Sequence, residues 1–152
     1  MNVADIMTRA SVTDGPGETL QSAANRMWRQ QTGSLLILDG EELVGIVTER
    51  DLMRAVARGY DVSTTTVGEV MSKDVQMVGA QTSLHEAARL MAALWIRHLP
   101  VVEEGQLLGM ISQRDLVGVF AALDPDPVGI ELASDELVRE QRLVRIEHGD
   151  LD

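Results

Sequence analysis

The sequence predicts a mixed α/β fold, of the α+β kind, made of two copies of one β-α-β-β-α unit. The segment Gly45–Asp51 returns as Gly109–Asp115 with Gly, a hydroxyl residue, Arg and Asp at matching places, 64 residues later. Each copy also contains an amphipathic helical pattern and, after it, two apolar runs separated by turn residues. Extended segments and helices therefore alternate in the same order twice.

The two copies align without a gap, Val3 to about Gly59 against Val67 to about Leu123. A period this long is typical of duplicated supersecondary units, which bury their apolar faces against one another. We therefore expect one intertwined domain. The predicted boundaries are residues 1–60 for the first repeat, 61–66 for the connection, 67–123 for the second repeat and 124–152 for a tail.

The first long helix of each repeat is predicted from apolar residues at helical spacing behind a capping residue. In the first repeat Thr19 is the cap, and the apolar positions are Leu20, Ala23, Ala24, Met27 and Trp28. In the second repeat Ser83 is the cap, Glu86 completes a capping box, and the apolar positions are Leu84, Ala87, Ala88, Met91 and Trp95.

A hairpin and a second helix follow in each repeat. Residues 35–38 and 43–47 flank an Asp-Gly-Glu-Glu turn, and residues 99–102 and 107–111 flank a Glu-Glu-Gly-Gln turn. Each hairpin leads into a helix that is expected to begin near Asp51 or Asp115.

Composition excludes several classes of protein. The 152 residues are 45% hydrophobic and include no cysteine, so neither disulfides nor thiolate metal sites can form. The N-terminus does not resemble a signal peptide and no run approaches about 18 apolar residues, so we expect a cytoplasmic protein with no membrane span.

The net charge of −11 argues against a nucleic-acid binder, because Lys and Arg supply most of the affinity for phosphates. The charge is uneven, since the tail 124–152 has nine acidic and three basic side chains. We expect no enzyme activity, because no nucleophile elbow, Walker loop or acid–base pair is recognisable. No metal site is expected either, since His85 and His148 have no nearby cysteine or second histidine to make a metal-ligand pattern.

The repeated motifs resemble those of a tandem cystathionine-beta-synthase (CBS) domain pair. The matching segments are Val3–Thr8 with Val67–Ser72, then Arg97–Val102, and the two Gly-x-x-Thr/Ser-x-x-Asp segments, within residues 3–123. The resemblance implies two repeats packed sheet against sheet around a pseudo-twofold axis. It also implies two clefts that hold adenosine-containing ligands such as AMP, ADP, ATP, NAD or S-adenosylmethionine.

The pairs Thr48-x-x-Asp51 and Ser112-x-x-Asp115 allow two interpretations. A hydroxyl residue followed three places later by a carboxylate is a common helix cap. Within the family pattern, the same carboxylates would accept hydrogen bonds from the paired hydroxyls of a ribose. The two roles can coexist, because a capping group at a helix start still faces an approaching ligand.

The resemblance implies that each cleft takes its walls from both repeats. Site A is expected to comprise Ile46, Thr48, Arg50, Asp51, Val75, Met77, Ile96, Arg97 and His98. Site B is expected to comprise Ser11, Thr13, Thr32, Gly33, Ser34, Met110, Ser112, Arg114 and Asp115. Because Arg97 and His98 add cationic potential to site A alone, we expect phosphate-bearing ligands to prefer site A.

The function predicted first is regulatory sensing of an adenosine nucleotide, with the bound state read by a separate effector protein. The alternative is a ligand-independent interaction module that docks partners through the acidic tail or a dimer face. Apolar residues near helical spacing in residues 131–145 favour the alternative modestly. A homodimer is expected by resemblance in either case.

Overall fold

The computed structural model describes residues 1–9 and 12–123. The chain divides into two compact units, Met1–Val117 and Gly118–Asp152. The first unit holds the first repeat and most of the second. The predicted tail 124–152 lies outside the described residues, so its predicted docking role stays a prediction. No helix among the described residues is long and apolar enough to cross a membrane.

The first repeat has the predicted order of elements, with one short helix added at its start. Its elements are α1 (Val3–Ile6), β1 (Thr13–Asp14), α2 (Leu20–Gln30), β2 (Ser34–Asp39), β3 (Glu42–Thr48) and α3 (Glu49–Ala57). β1 pairs parallel with β2, and β2 pairs antiparallel with β3, to give a three-stranded sheet in the order β1-β2-β3.

The second repeat reproduces this order except at its first strand. Its elements are α4 (Val67–Val70), α5 (Leu84–Leu94), β4 (His98–Glu103), β5 (Gln106–Ser112) and α6 (Gln113–Leu123). In place of a first strand, Val78 makes a single parallel bridge to Val101, and the Val102 N–H donates to the Val78 carbonyl at 2.9 Å. The predicted α+β class of two related repeats is confirmed.

Helix caps agree with the sequence, but the aromatic positions do not. The Thr19 hydroxyl accepts the Ser22 N–H and the Ser83 hydroxyl accepts the Glu86 N–H, both at 3.1 Å. Trp28 was expected on the buried face of α2 and is instead 77% exposed, because only Leu20, Ala23 and Met27 of that helix face the core. Trp95 lies just beyond the last turn of α5.

The core lies between the helices and the strands of each repeat. One cluster of fully or nearly fully buried side chains contains seven residues of the first repeat and Val67 of the second. The seven are Leu20, Ala23, Met27, Leu35, Ile37, Val47 and Ala55. In the second repeat, α5 buries Leu84, Ala87 and Met91 at positions equivalent to those of α2. The identical spacing of these buried residues explains why the two copies align without a gap.

The two repeats exchange their entry segments in a reciprocal way. Thr8 and Met110 donate N–H groups to each other's carbonyl oxygens at 2.8 and 3.0 Å. Ser72 and Ile46, the residues at the equivalent positions, make the same two bonds at 2.9 and 3.0 Å. The segment that enters one repeat therefore pairs with the last strand of the other. This exchange relates the repeats by a pseudo-twofold axis and brings residues of both to one site.

Candidate functional site

A cavity of about 170 Å³ lies where β3 and α3 face two segments of the second repeat. Its lining comes from both repeats and comprises Ile46, Thr48, Arg50, Asp51, Arg54, Ser72, Asp74, Val75, Gln76, Trp95, Ile96, Arg97, His98 and Pro100. The bonds between Ile46 and Ser72 hold the two walls together at one end.

The structure brings together eight of the nine residues predicted for site A, and we call this space the site A cavity. The exception is Met77, which is 50% exposed and does not line it. The resemblance predicted this grouping across the two repeats. Ligand binding by these residues stays a prediction.

Asp51 caps helix α3 with one carboxylate oxygen. Its Oδ2 accepts the Thr48 N–H at 2.8 Å and the Thr48 hydroxyl at 3.2 Å, while Oδ1 lies 3.5 Å from Nη1 of Arg54. The residue is only 6% exposed. The capping interpretation is therefore confirmed for Asp51. Capping uses Oδ2, so Oδ1 can still accept a hydrogen bond from a ligand in the cavity.

Asp115 caps helix α6 in the same way. Its Oδ2 accepts the Ser112 N–H at 2.8 Å and the Ser112 hydroxyl at 2.7 Å, and its own N–H donates to the Ser112 hydroxyl oxygen at 3.3 Å. Both halves of a capping box are thus formed. Asp115 does not line the site A cavity, which makes it a natural comparison for Asp51.

The cations around the cavity differ in how far they are neutralised. Arg97 Nη2 lies 3.3 Å from Glu49 Oε2, and both side chains are at least half exposed, so this ion pair is weak. Arg50 lines the cavity and has no acidic partner within 4 Å among the described residues. Arg50 therefore adds a cation to the lining of the cavity.

His98 carries less positive charge than the sequence suggested. Burial lowers the pKa of His98, and the neighbouring Arg97 lowers it further, against smaller opposing effects of Glu49 and Asp115. The neutral form of the imidazole is therefore favoured. His98 contributes less positive charge to site A than expected.

The lowered pKa of His98 predicts a loss of stability in mild acid. The unfolded chain binds this proton more readily, with a pKa near 6.5, so the free energy of unfolding should fall as pH drops from about 7 through the folded-state value. We expect the melting temperature to fall less between pH 7.5 and 5.5 in His98→Gln than in the wild-type protein. Equal falls in the two proteins would contradict this account.

Two of the residues predicted for site B, Ser34 and Met110, are in contact. The Ser34 hydroxyl donates to the Met110 sulfur at 3.4 Å, and the Thr32 hydroxyl donates to the Ser34 carbonyl at 3.1 Å. Ser34 is 1% exposed. The repeats therefore touch where Met110 meets Ser34. Ser11 lies outside the described residues, and none of the described site B residues lines the site A cavity.

Sequence reasoning missed six lining residues, namely Arg54, Ser72, Asp74, Gln76, Trp95 and Pro100. Arg54 had a readable signal, because residues three apart lie on one helix face and Arg54 follows Asp51 at that spacing. Ser72 had none, since its position depends on pairing with the other repeat. Among the described residues, no group of three or more His, Cys, Asp or Glu side chains could hold a metal ion.

The sequence model of the CBS domain matches this chain twice, at residues 3–58 and 67–122. A similar protein is the CBS domain-containing protein YhcV of Bacillus subtilis. The two are 36% identical over 116 residues, which cover 76% of this chain and 82% of YhcV.

Solved structures give the same result for the fold. A protein with CBS domains from Burkholderia ambifaria is 35% identical with a TM-score of 0.78, over 80% of this chain and 95% of that one. The CBS domain pair of protein MJ0100, solved in complex with 5'-methylthioadenosine and S-adenosyl-L-methionine, is 24% identical with a TM-score of 0.76, over 81% and 98% of the two chains. This chain therefore belongs to the CBS domain family, with two CBS domains in tandem.

Proposed function

We propose that this chain is a regulatory module that binds an adenosine-containing ligand in the site A cavity and signals the bound state to a partner protein. The observation that carries the proposal is the composition of that cavity. A buried carboxylate with one available oxygen, a set of apolar side chains and a cation line one space built by both repeats.

Each part of the cavity suits one part of such a ligand. Oδ1 of Asp51 is placed to accept a ribose hydroxyl, which a carboxylate does more strongly than a neutral group. The apolar side chains that would cover the base are Ile46, Val75, Ile96 and Pro100. Arg50 and Arg97 would meet phosphates. The MJ0100 complex supports the proposal because a CBS domain pair of the same fold binds two adenosine compounds.

The cavity also provides a route from binding to signalling. Because its walls belong to both repeats, a ligand that contacts both walls binds one arrangement of the repeats more tightly than others. Binding then shifts the population toward that arrangement, by no more than the difference in affinity. In this proposal a separate effector protein reads the shift.

A ligand panel tests the proposal. Thermal unfolding of the wild-type protein would be followed with AMP, ADP, ATP, NAD and S-adenosylmethionine, and each hit confirmed by titration calorimetry. A ligand at 100 times its dissociation constant adds about 2.7 kcal/mol of stability, which raises the melting temperature by several degrees. Ribose 5-phosphate is the control that lacks the base. No shift with any adenosine compound would contradict the proposal.

We further propose a homodimer formed by the second helix of each repeat. Met53 in α3 is 71% exposed, and the residue 64 positions later, Val117 in α6, is 60% exposed. Apolar side chains repeated at matching exposed positions are typical of a covered face.

The double variant Met53→Glu with Val117→Glu should be monomeric, because each buried carboxylate would be desolvated without a partner. Light scattering coupled to size exclusion gives the mass. Trp28→Glu, which changes an exposed apolar residue on α2, is the matched control and should stay dimeric. A dimeric double variant would place the interface elsewhere.

A further inference from the structure

Trp95 has a backbone conformation that tryptophan rarely adopts. It follows the last turn of α5 with φ 55° and ψ 34°, in the left-handed region. Glycine usually occupies this position after a helix, because any Cβ there is unfavourable and a bulky side chain more so. Residues held in such conformations cluster at functional sites.

Comparison with the equivalent residue of the first repeat shows which part of this feature the two repeats share. Gln31 ends α2 with φ 52° and ψ 39°, so the left-handed conformation belongs to the repeat and not to the tryptophan. The Gln31 side chain is exposed and donates to the Trp28 carbonyl at 2.7 Å. Only Trp95 lines the site A cavity. The two repeats thus share the backbone conformation, whereas an aromatic ring is present at the position that lines the site A cavity.

The surroundings of the ring identify what it could contact. Within the lining, Ile96 is the next residue of the chain, Val75 and Pro100 add apolar surface, and Asp51 supplies the polar end. Aliphatic side chains cover any apolar group, whereas an indole also offers a flat π surface that prefers another aromatic ring. Base stacking on aromatic side chains is a common means of binding nucleotides.

From these observations we infer that Trp95 stacks on the planar base of the ligand in the site A cavity and selects ligands with such a base. The inference rests on the proposed function and adds to it a residue that determines specificity. Stacking does not distinguish one purine from another, so Trp95 favours base-bearing ligands as a class. Removal of the ring should weaken binding by about tenfold to a hundredfold.

Fluorescence can report the contact directly. The sequence has two tryptophans, so Trp28→Phe leaves Trp95 as the only one. Because Trp28 is exposed and does not line the cavity, this variant should fold and bind normally. AMP, ATP and S-adenosylmethionine would be titrated as probes. Stacking should quench Trp95 emission along a saturating curve whose midpoint agrees with calorimetry.

Variants at Trp95 then separate the ring from its bulk. Trp95→Phe should retain more affinity for the tightest of the three probes than Trp95→Leu, which keeps apolar bulk without a π surface. Gln31→Ala is the matched control for Trp95→Ala, because each changes a left-handed residue at the end of the equivalent helix of its repeat, α2 or α5. We expect the Gln31 variant to bind like the wild-type protein.

The outcomes distinguish this inference from the proposed function. If the wild-type protein binds a probe and the Phe and Leu variants bind it equally well, the stacking role is overturned and the proposed function stands. If the wild-type protein binds none of the five compounds of the ligand panel, both are overturned. If Trp95→Ala fails to fold, the comparison of Trp95→Phe with Trp95→Leu still tests the stacking role in the same way.

Discussion

Asp51→Ala is expected to weaken binding of an adenosine-containing ligand by about tenfold to a hundredfold, the cost of losing a hydrogen bond to a charged acceptor. Asp51 is 6% exposed, and its Oδ1 is the carboxylate oxygen that capping leaves available in the site A cavity. Calorimetric titration of wild-type and variant proteins with the best ligand of the panel measures the difference.

The variant will also lose a helix cap, so a control for stability is needed. Asp115→Ala removes the same cap from α6, where Oδ2 accepts the Ser112 N–H at the same 2.8 Å distance that joins Asp51 to Thr48. Each variant should lose about 1 kcal/mol of unfolding free energy. Only the Asp51 variant should lose affinity for a phosphate-bearing ligand at site A. Equal binding losses in both would overturn the preference for site A.

The repeat explains why much of the fold could be predicted. The spacing of apolar residues is a local signal, and here it occurs twice, 64 residues apart. The prediction of Thr19 as a helix cap therefore strengthens the prediction of Ser83, and the reverse. The hairpins were equally clear, since β2 with β3 and β4 with β5 lie where turn residues separate two apolar runs. The grouping of Asp51 with Arg97 came from the family resemblance, because no local pattern links residues so far apart.

The features that sequence reasoning missed either depend on contacts between the repeats or leave no local signal in the sequence. The lowered pKa of His98 arises from burial and from Arg97, and Arg97 itself is paired with Glu49 of the other repeat. The short helices α1 and α4 are four residues each, too short for a periodic signal. The spacing of apolar residues assigns Trp95 to the apolar face of α5, because this pattern does not reveal a left-handed backbone at a residue other than glycine.

The exchange of entry segments predicts a large effect at Gly109. A Cβ at this position would collide with the backbone carbonyl oxygen of Thr8 and lie 3.2 Å from Cα of Arg9. Thr8 cannot move away without loss of its two hydrogen bonds to Met110. Gly109→Ala should therefore lower the free energy of unfolding by about 2 to 3 kcal/mol, at the upper end of the usual cost of overpacking. Denaturant unfolding measures this change.

The equivalent position in the other repeat tests whether that cost comes from the backbone. A Cβ at Gly45 would collide with the Met71 side chain and lie 3.1 Å from the Ser72 carbonyl oxygen, a tight contact that requires a shift of a few tenths of an ångström. Methionine has three rotatable bonds and can move aside, so Gly45→Ala should cost about 1 kcal/mol or less. Gly17→Ala, with open space around the new methyl group, should cost less still. Equal losses of unfolding free energy in Gly45→Ala and Gly109→Ala would contradict this account. They would mean that the backbone at Thr8 moves as easily as the Met71 side chain, so that the close backbone contact at Gly109 does not hold the two repeats together.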